Sequence, residues 1–212
     1  MKNIEFFTTE NGVASLTLRE IPYQGCAYVR LQDSREPAAL LQECVDFCRA
    51  CGADHIYAAG HSVAEDYPLY TAICRMRCDP SALPETDALV WPVQKETLPH
   101  WLEIYYNKIK RIPNGAWMTA SDAEKMLAAG EGYFIHRQGK LLGTGRVCGG
   151  RIDWVASVQP GAGREIVAAL GRISGADVLE LTVASANTKA VSLYESLGFV
   201  PIEELSRWYK II

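Results

Sequence analysis

Ala184-Ser-Ala-Asn-Thr-Lys-Ala-Val-Ser-Leu-Tyr-Glu-Ser-Leu-Gly-Phe199 is the stretch that decides how this chain is read. Before it, Val178 to Val183 alternates Leu179, Leu181 and Val183 with Glu180 and Thr182, which predicts a strand with one buried face. Asn187 is the expected cap of a following helix, its side chain accepting from the first free N–H groups. Ala190, Val191, Tyr194 and Leu197 fall on one helical face. Gly198 is the expected stop, where positive φ costs least. Phe199 and Val200 open another apolar run.

Upstream, Val158-Gln-Pro-Gly-Ala-Gly-Arg164 sits between a strand predicted over Arg151–Val158 and a helix over Arg164–Ser174. A glycine-rich turn opening a helix offers free amides and the positive end of the helix dipole to an anion. Gly161 and Gly163 let an anion approach closely, and Arg164 can add a charge-assisted bond. Glu165 works against this by placing a negative charge in the same turn.

From Ala88 onward the pattern predicts a strand at Ala88–Val93, then a helix through Leu98, Trp101, Leu102, Tyr105 and Ile109. A second helix follows, with Ser121-Asp-Ala-Glu124 as its capping box and Gly130 as its end. Three strands come next (Gly132–Gln138, Leu141–Cys148, Arg151–Val158), then helix, strand, helix and strand. Strand-helix-strand crossovers give parallel pairs and hairpins antiparallel ones, so a mixed sheet is expected.

The spacing Asn187, Ala190, Tyr194, Gly198-Phe199, in this element order, resembles the GNAT N-acetyltransferase superfamily. The resemblance implies an α/β (α+β mixed sheet) fold, the GNAT acyl-CoA N-acyltransferase fold, over residues 87–212. It implies acetyl-CoA as co-substrate and, as acceptor, an amine of a small molecule or of a protein. It implies that the pyrophosphate meets the amides of Gly161, Ala162, Gly163 and Arg164. The pantetheine arm would bond to the main chain of Ala156, Ser157 and Val158, with Asn187 approaching from the other side. Tyr194 matches the tyrosine that protonates the leaving thiolate. The phosphate loop is one residue shorter than the family pattern. The alternative is therefore a catalytically weak acyl-CoA-binding or regulatory module of the same fold. Asp153, Glu180 and Glu131 are candidate proton acceptors, none assigned, and His136 reads as a core residue. Trp101, Tyr105, Tyr106, Trp117 and Tyr133 could line an acceptor pocket, or simply be core.

The rest of the chain bounds this reading. Residues 1–78 predict a smaller α/β unit: a hairpin about Glu10-Asn11-Gly12, strands at Ala27–Gln32, His55–Ala59 and Leu69–Arg77, and a helix at Glu36–Ala50. Hairpin, strand, helix, strand is also the order within the fold just named, so this unit is either a degenerate half-repeat without phosphate-binding glycines or an unrelated extension. Residues 79–86 read as a linker. The chain of 212 residues has a formal charge of −4, with no basic footprint for nucleic acid. No run is long enough for a signal peptide or a membrane span, so a cytoplasmic protein is expected. Cys44, Cys48 and Cys51 have the C-x3-C-x2-C spacing of an iron–sulfur loop. They lie at helical period, so core thiols are expected and no metal. Oligomeric state is not legible.

Overall fold

The computed structural model describes residues 2–212. Contacts divide the chain into two units, one made of residues up to Ile73 together with Glu204–Ile212, the other of Cys74–Glu203. The expected division kept 87–212 whole. The structure instead returns the end of the last strand to the first unit, where Tyr209 pairs with Ala58 and Lys210 with Tyr57.

In the first unit β1 (Ile4–Thr9) and β2 (Gly12–Thr17) form the hairpin that the Asn11-Gly12 turn announces. A short helix α1 (Ile21–Gln24), not foreseen, stops at Gly25, whose φ of 67° suits glycine. Then come β3 (Cys26–Ser34), α2 (Pro37–Ala50) and β4 (His55–Ala59). β3 and β4 are parallel and zipped over five consecutive registers, Cys26↔His55 to Arg30↔Ala59. α2 turns Leu40, Leu41, Cys44, Val45 and Cys48 onto a core with Leu16, Val29 and Ile56. Cys44 and Cys48 are fully buried free thiols, and burial lifts each to about 12. They pack as small apolar side chains. Among the described residues no group of three or more metal-ligating side chains is gathered.

β5 (Leu69–Cys78) carries the chain into the second unit. There follow β6 (Leu89–Pro92), α3 (Leu98–Ile109), α4 (Ala120–Ala129), β7 (Gly132–Arg137), β8 (Lys140–Cys148) and β9 (Arg151–Ser157). The unit closes with α5 (Gly163–Ser174), β10 (Leu179–Ala184), α6 (Thr188–Ser196) and the start of β11 (Val200–Lys210). The strand order is β5-β10-β9-β8-β7-β6. β6–β7, β7–β8 and β8–β9 are antiparallel, the last two as hairpins, and β9–β10 is parallel, so the expected mixed sheet forms.

Two caps differ from expectation. The capping box of α4 is Thr119 with Asp122, because Thr119 is the last extended residue and its hydroxyl meets the N3 amide at 3.2 Å. Asn187 precedes α6 but makes no side-chain cap bond. α5 and α3 cover opposite faces of the sheet. Ile166, Val167 and Leu170 pack with Leu179 and Leu181 on one, and Trp101, Tyr105 and Met126 with Phe134 and Trp154 on the other. Gly143 and Gly145 let α5 lie close on β8, since a methyl group at either would come within 2.6 Å of Ile166 or 2.4 Å of Leu170. No helix is long and apolar enough to cross a membrane among the described residues.

Candidate active site

β9 and β10 pair only at Glu180↔Arg151 and Leu181↔Ile152. Beyond that point both strands continue, β9 to Ser157 and β10 to Ala184, without pairing to each other. The other edge of β9 is irregular at the same point. Against β8, Val147 pairs with Ile152 and Arg146 with Trp154, so Asp153 is an extra residue, a β-bulge. Side chains two apart in a regular strand share a face. Here Ile152 packs in the core under α5, while Trp154 and Ala156 pack on the opposite side with α3. The bulge falls one residue after the last β9–β10 pair, and bulges bend the strand that carries them.

The ladder to β8 decides which main-chain groups of β9 turn toward β10. Val158 N–H donates to Leu142 O at 2.8 Å, which fixes the phase of the β8–β9 ladder. By alternation Ala156 also faces β8, and the N–H and C=O groups of Ser157 and Val155 turn toward the fork. The expectation that Ala156, Ser157 and Val158 all offer main-chain bonds is thus corrected. The amides of Ala156 and Val158 are spent on the sheet, whereas those of Val155 and Ser157 are not used by the β8–β9 ladder.

At the mouth of the fork α5 begins. Gly161, with φ 79°, makes the turn. Ala162 is the cap residue. Its methyl group is buried in the core and its N–H donates to Gln159 O at 3.3 Å, so it is a structural member of the loop rather than a donor. Gly163, Arg164 and Glu165 occupy the first turn, where amides have no partner inside a helix. Gly163 serves packing as well, because a methyl group there would come within 2.7 Å of Leu193 on α6. The Arg164 guanidinium does not lie free at the mouth. Its Nη2 donates to Ser196 O at 3.2 Å and to Ser196 Oγ at 3.1 Å, at the carbonyl end of α6. Glu165 is partly neutralised. Its Oε2 lies 2.7 Å from Arg137 Nη1, close enough for an ion pair but off line for a hydrogen bond.

α6 ends in a Schellman motif. Phe199 N–H donates to Tyr194 O and Gly198 N–H to Glu195 O, each at 3.0 Å, with Gly198 at φ 87°. The motif brings the Phe199 and Tyr194 rings to 5.7 Å. Tyr194 is thereby held against the α5-side core. Some of its surface stays open, yet protein surrounds the phenol, and desolvation lifts it to about 12.

The candidate proton acceptors are all committed to arginines. Arg151 Nε meets Asp153 Oδ1 at 2.6 Å, Arg77 Nη2 meets Glu180 Oε1 at 2.7 Å, and Arg146 Nη2 meets Glu131 Oε2 at 2.5 Å. The Cys148 thiol and then Arg146 hydrogen-bond to Glu131, holding its carboxyl below the usual range against the desolvation that raises it. His136, on β7, is half-buried with Nδ1 enclosed and unbonded, rather than the satisfied core histidine expected. The aromatic side chains near α3 are held by hydrogen bonds and stacking. Trp101 Nε1 donates to Tyr133 O, Tyr105 hydroxyl to Ala116 O and Tyr106 hydroxyl to Met118 O, while Tyr106 stacks on Trp117 at 4.2 Å.

No protein-family model and no curated protein matches the chain. Solved structures do. A GCN5-related N-acetyltransferase from Sphaerobacter thermophilus matches with a TM-score of 0.58 at 16% identity, over 93% of this chain and 75% of that one. A tandem GNAT protein from the clavulanic acid biosynthesis pathway matches at 0.53 and 14%, over 94% and 78%. The fold is the GNAT fold. A conserved protein of unknown function from Staphylococcus epidermidis shares it, with a TM-score of 0.60 at 11% identity over 96% of this chain and 91% of that one. The bulge at Asp153 escaped the sequence reading of this GNAT fold, since Ile152, Trp154 and Ala156 alternate with polar or smaller residues as in any regular strand.

Proposed function

We propose that the second unit is an acyltransferase that moves an acetyl group from acetyl-CoA to a primary amine. One observation carries the reading: β9 and β10 stop pairing after Leu181↔Ile152, which leaves the main-chain groups of Val155 and Ser157 without a ladder partner on β10. A pantetheine arm carries amide groups of its own, and it adds to such an edge as a strand would. The first-turn amides of α5 at Gly163, Arg164 and Glu165 suit a pyrophosphate. Asn187, with its side chain free of capping duty, can bond to the arm from the α6 side.

The transfer needs a neutral amine. Its nitrogen attacks the thioester carbon, a C–N bond forms, the C–S bond breaks, and the amine gives up one proton while the leaving sulfur takes one. Tyr194 is the residue for the second proton. With its phenol pushed up to about 12 it stays protonated at neutral pH and can donate to a thiolate. A main-chain N–H at the fork would stabilise the charge that builds on the carbonyl oxygen. The amine's own proton leaves to solvent, because Asp153, Glu131 and Glu180 are each held by an arginine.

A second reading is favoured by two facts at the mouth: Glu165 lies in the anion-facing turn, and the Arg164 side chain is engaged by Ser196. On that reading the unit binds acyl-CoA weakly and transfers little. Calorimetry with acetyl-CoA, followed by thiol release with a panel of amines, tests both. Binding with amine-dependent thiol release supports transfer, binding without release supports the weak binder, and the absence of binding at about 1 mM rejects both.

A further inference from the structure

Where β9 and β10 part, one face of the sheet is closed. Leu181 and Val183 turn into the core under α5, against which Tyr194 also packs. Thr182 between them therefore turns to the opposite face, and it is exposed. An acceptor amine has to arrive on that open face, and the course of α3 decides what stands beside it. At the start of α3, Trp101 donates to Tyr133 O and His100 stacks on Phe134, both on β7. One turn later the Tyr105 ring lies 4.4 Å from that of Trp154, which follows the last β9–β10 pair. The helix thus crosses the sheet from β7 to β9, and its C-terminal end advances toward the parted strands.

That end is positively charged. Between Glu103 and Asp122 the chain carries Lys108, Lys110 and Arg111 and no carboxylate, although the whole chain has a formal charge of −4. None of the three side chains forms an ion pair among the described residues. Cations at a helix C-terminus suit its dipole, but that role needs no lysine on the inward face. Lys108 sits there, on the stripe of Ile104 and Tyr105, and is half-buried. A lysine so placed lays its stem along apolar surface and keeps its head at the rim. Lys110 Nζ lies 5.8 Å over the Trp117 ring, which stacks on Tyr106, so a second cation is tied to the same aromatic layer. Asp153 and Glu180 are each neutralised by an arginine. The uncompensated charge at this end of α3 is therefore positive, and it outweighs the half-charge of the helix end.

We infer that the acceptor is an amine that carries an anionic group of its own, a carboxylate or a phosphate, held by Lys108, Lys110 and Arg111 while its nitrogen reaches the thioester. The inference rests on the transferase reading above. The same cations serve the chemistry, because nearby positive charge disfavours the ammonium form and leaves more of the amine neutral for attack.

The test compares thiol release from acetyl-CoA with γ-aminobutyrate, butylamine and putrescine. These share a chain length and end in an anion, a methyl group and a second cation. kcat/KM for γ-aminobutyrate is expected to exceed that for butylamine by about tenfold or more, with putrescine the poorest. The preference should shrink as salt is raised. Lys108→Met keeps the stem and removes the charge, and Lys110→Gln/Arg111→Gln changes only exposed side chains. Each is expected to lower the ratio of the anionic to the neutral amine by about fivefold, through KM rather than kcat, with the fold checked by circular dichroism. Aminopropylphosphonate in place of γ-aminobutyrate tells which anion is preferred, and a preference for either over butylamine supports the inference. Release that favours butylamine or putrescine, or an anionic preference untouched by these substitutions, overturns it and leaves the transferase reading standing. Release with none of the amines rejects the transferase reading, and this inference falls with it.

Discussion

Each unit contains one strand-helix-strand crossover with a parallel pair, β3-α2-β4 in the first and β9-α5-β10 in the second. In the first the pair is zipped for five registers, Cys26↔His55 to Arg30↔Ala59. In the second it holds for two and then parts. The helices differ in the same sense. α2 opens on Glu36-Pro37, with no glycine and a proline that lacks an amide, whereas α5 opens on Gly161-Ala162-Gly163. One topology thus yields a pair zipped throughout in one place and a pair that parts in the other, and the one that parts carries an extra residue at Asp153. A slot of this kind is made by breaking a sheet locally, at the cost of a few main-chain hydrogen bonds that a ligand can restore.

The strongest way to break the contrast is to delete Asp153. Without the extra residue β9 regains regular pairing and can follow β10 upward, making the second crossover resemble the first. Acetyl-CoA binding should fall by more than about 100-fold while the far-ultraviolet spectrum is retained. A deleted form that still binds at full strength would separate the fork from the cofactor.

Next comes Tyr194→Phe. The ring packing against Phe199 is kept and only the hydroxyl is lost. Thiol release should slow by about 100-fold with coenzyme affinity nearly unchanged. An unaltered rate removes Tyr194 from the chemistry. Ser157→Pro sharpens the comparison more gently, since it deletes an amide that the sheet does not use. Coenzyme affinity should drop by about tenfold, with the melting temperature little moved.

Gly198→Ala should cost about 1 kcal/mol, because φ 87° strains any residue with a side chain. The loss would be read by denaturant titration, and a stabilised variant would contradict the Schellman geometry. The smallest effect concerns pH. Cys44 and Cys48 are raised by burial from 9.0 to about 12, so the folded state holds their protons where the unfolded state releases them. Their contribution is intact below about pH 9 and is lost as pH climbs through about 12. Thermal melting should therefore fall across that window, and Cys48→Ala should flatten the fall. A melting temperature that rises with pH there would refute the assignment.

The elements of the second unit were legible because its helices have clear apolar faces and its turns use glycine where φ is positive. Gly130, Gly175 and Gly198 end three of them. The site was legible only where residues announce themselves. Tyr194 and the glycine turn have side-chain or backbone signatures. A bulge has none, since Asp153 looks like any polar strand residue. Nor does sequence say which amides a sheet will consume, which is why Val158 was expected at the slot although it is bonded to Leu142. The engagements of Arg164 by Ser196 and of Glu165 by Arg137 join residues separated by 32 and 28 positions, beyond any local pattern.

The return of β11 to β4 has a consequence for biogenesis. The segment that will cover the edge of β4, Tyr209-Lys210, is made roughly 150 residues after β4 itself. Until then the nascent chain carries an uncapped parallel strand, a surface open to pairing with other chains. A chaperone that shields such edges during synthesis would serve this protein more than one that acts after release.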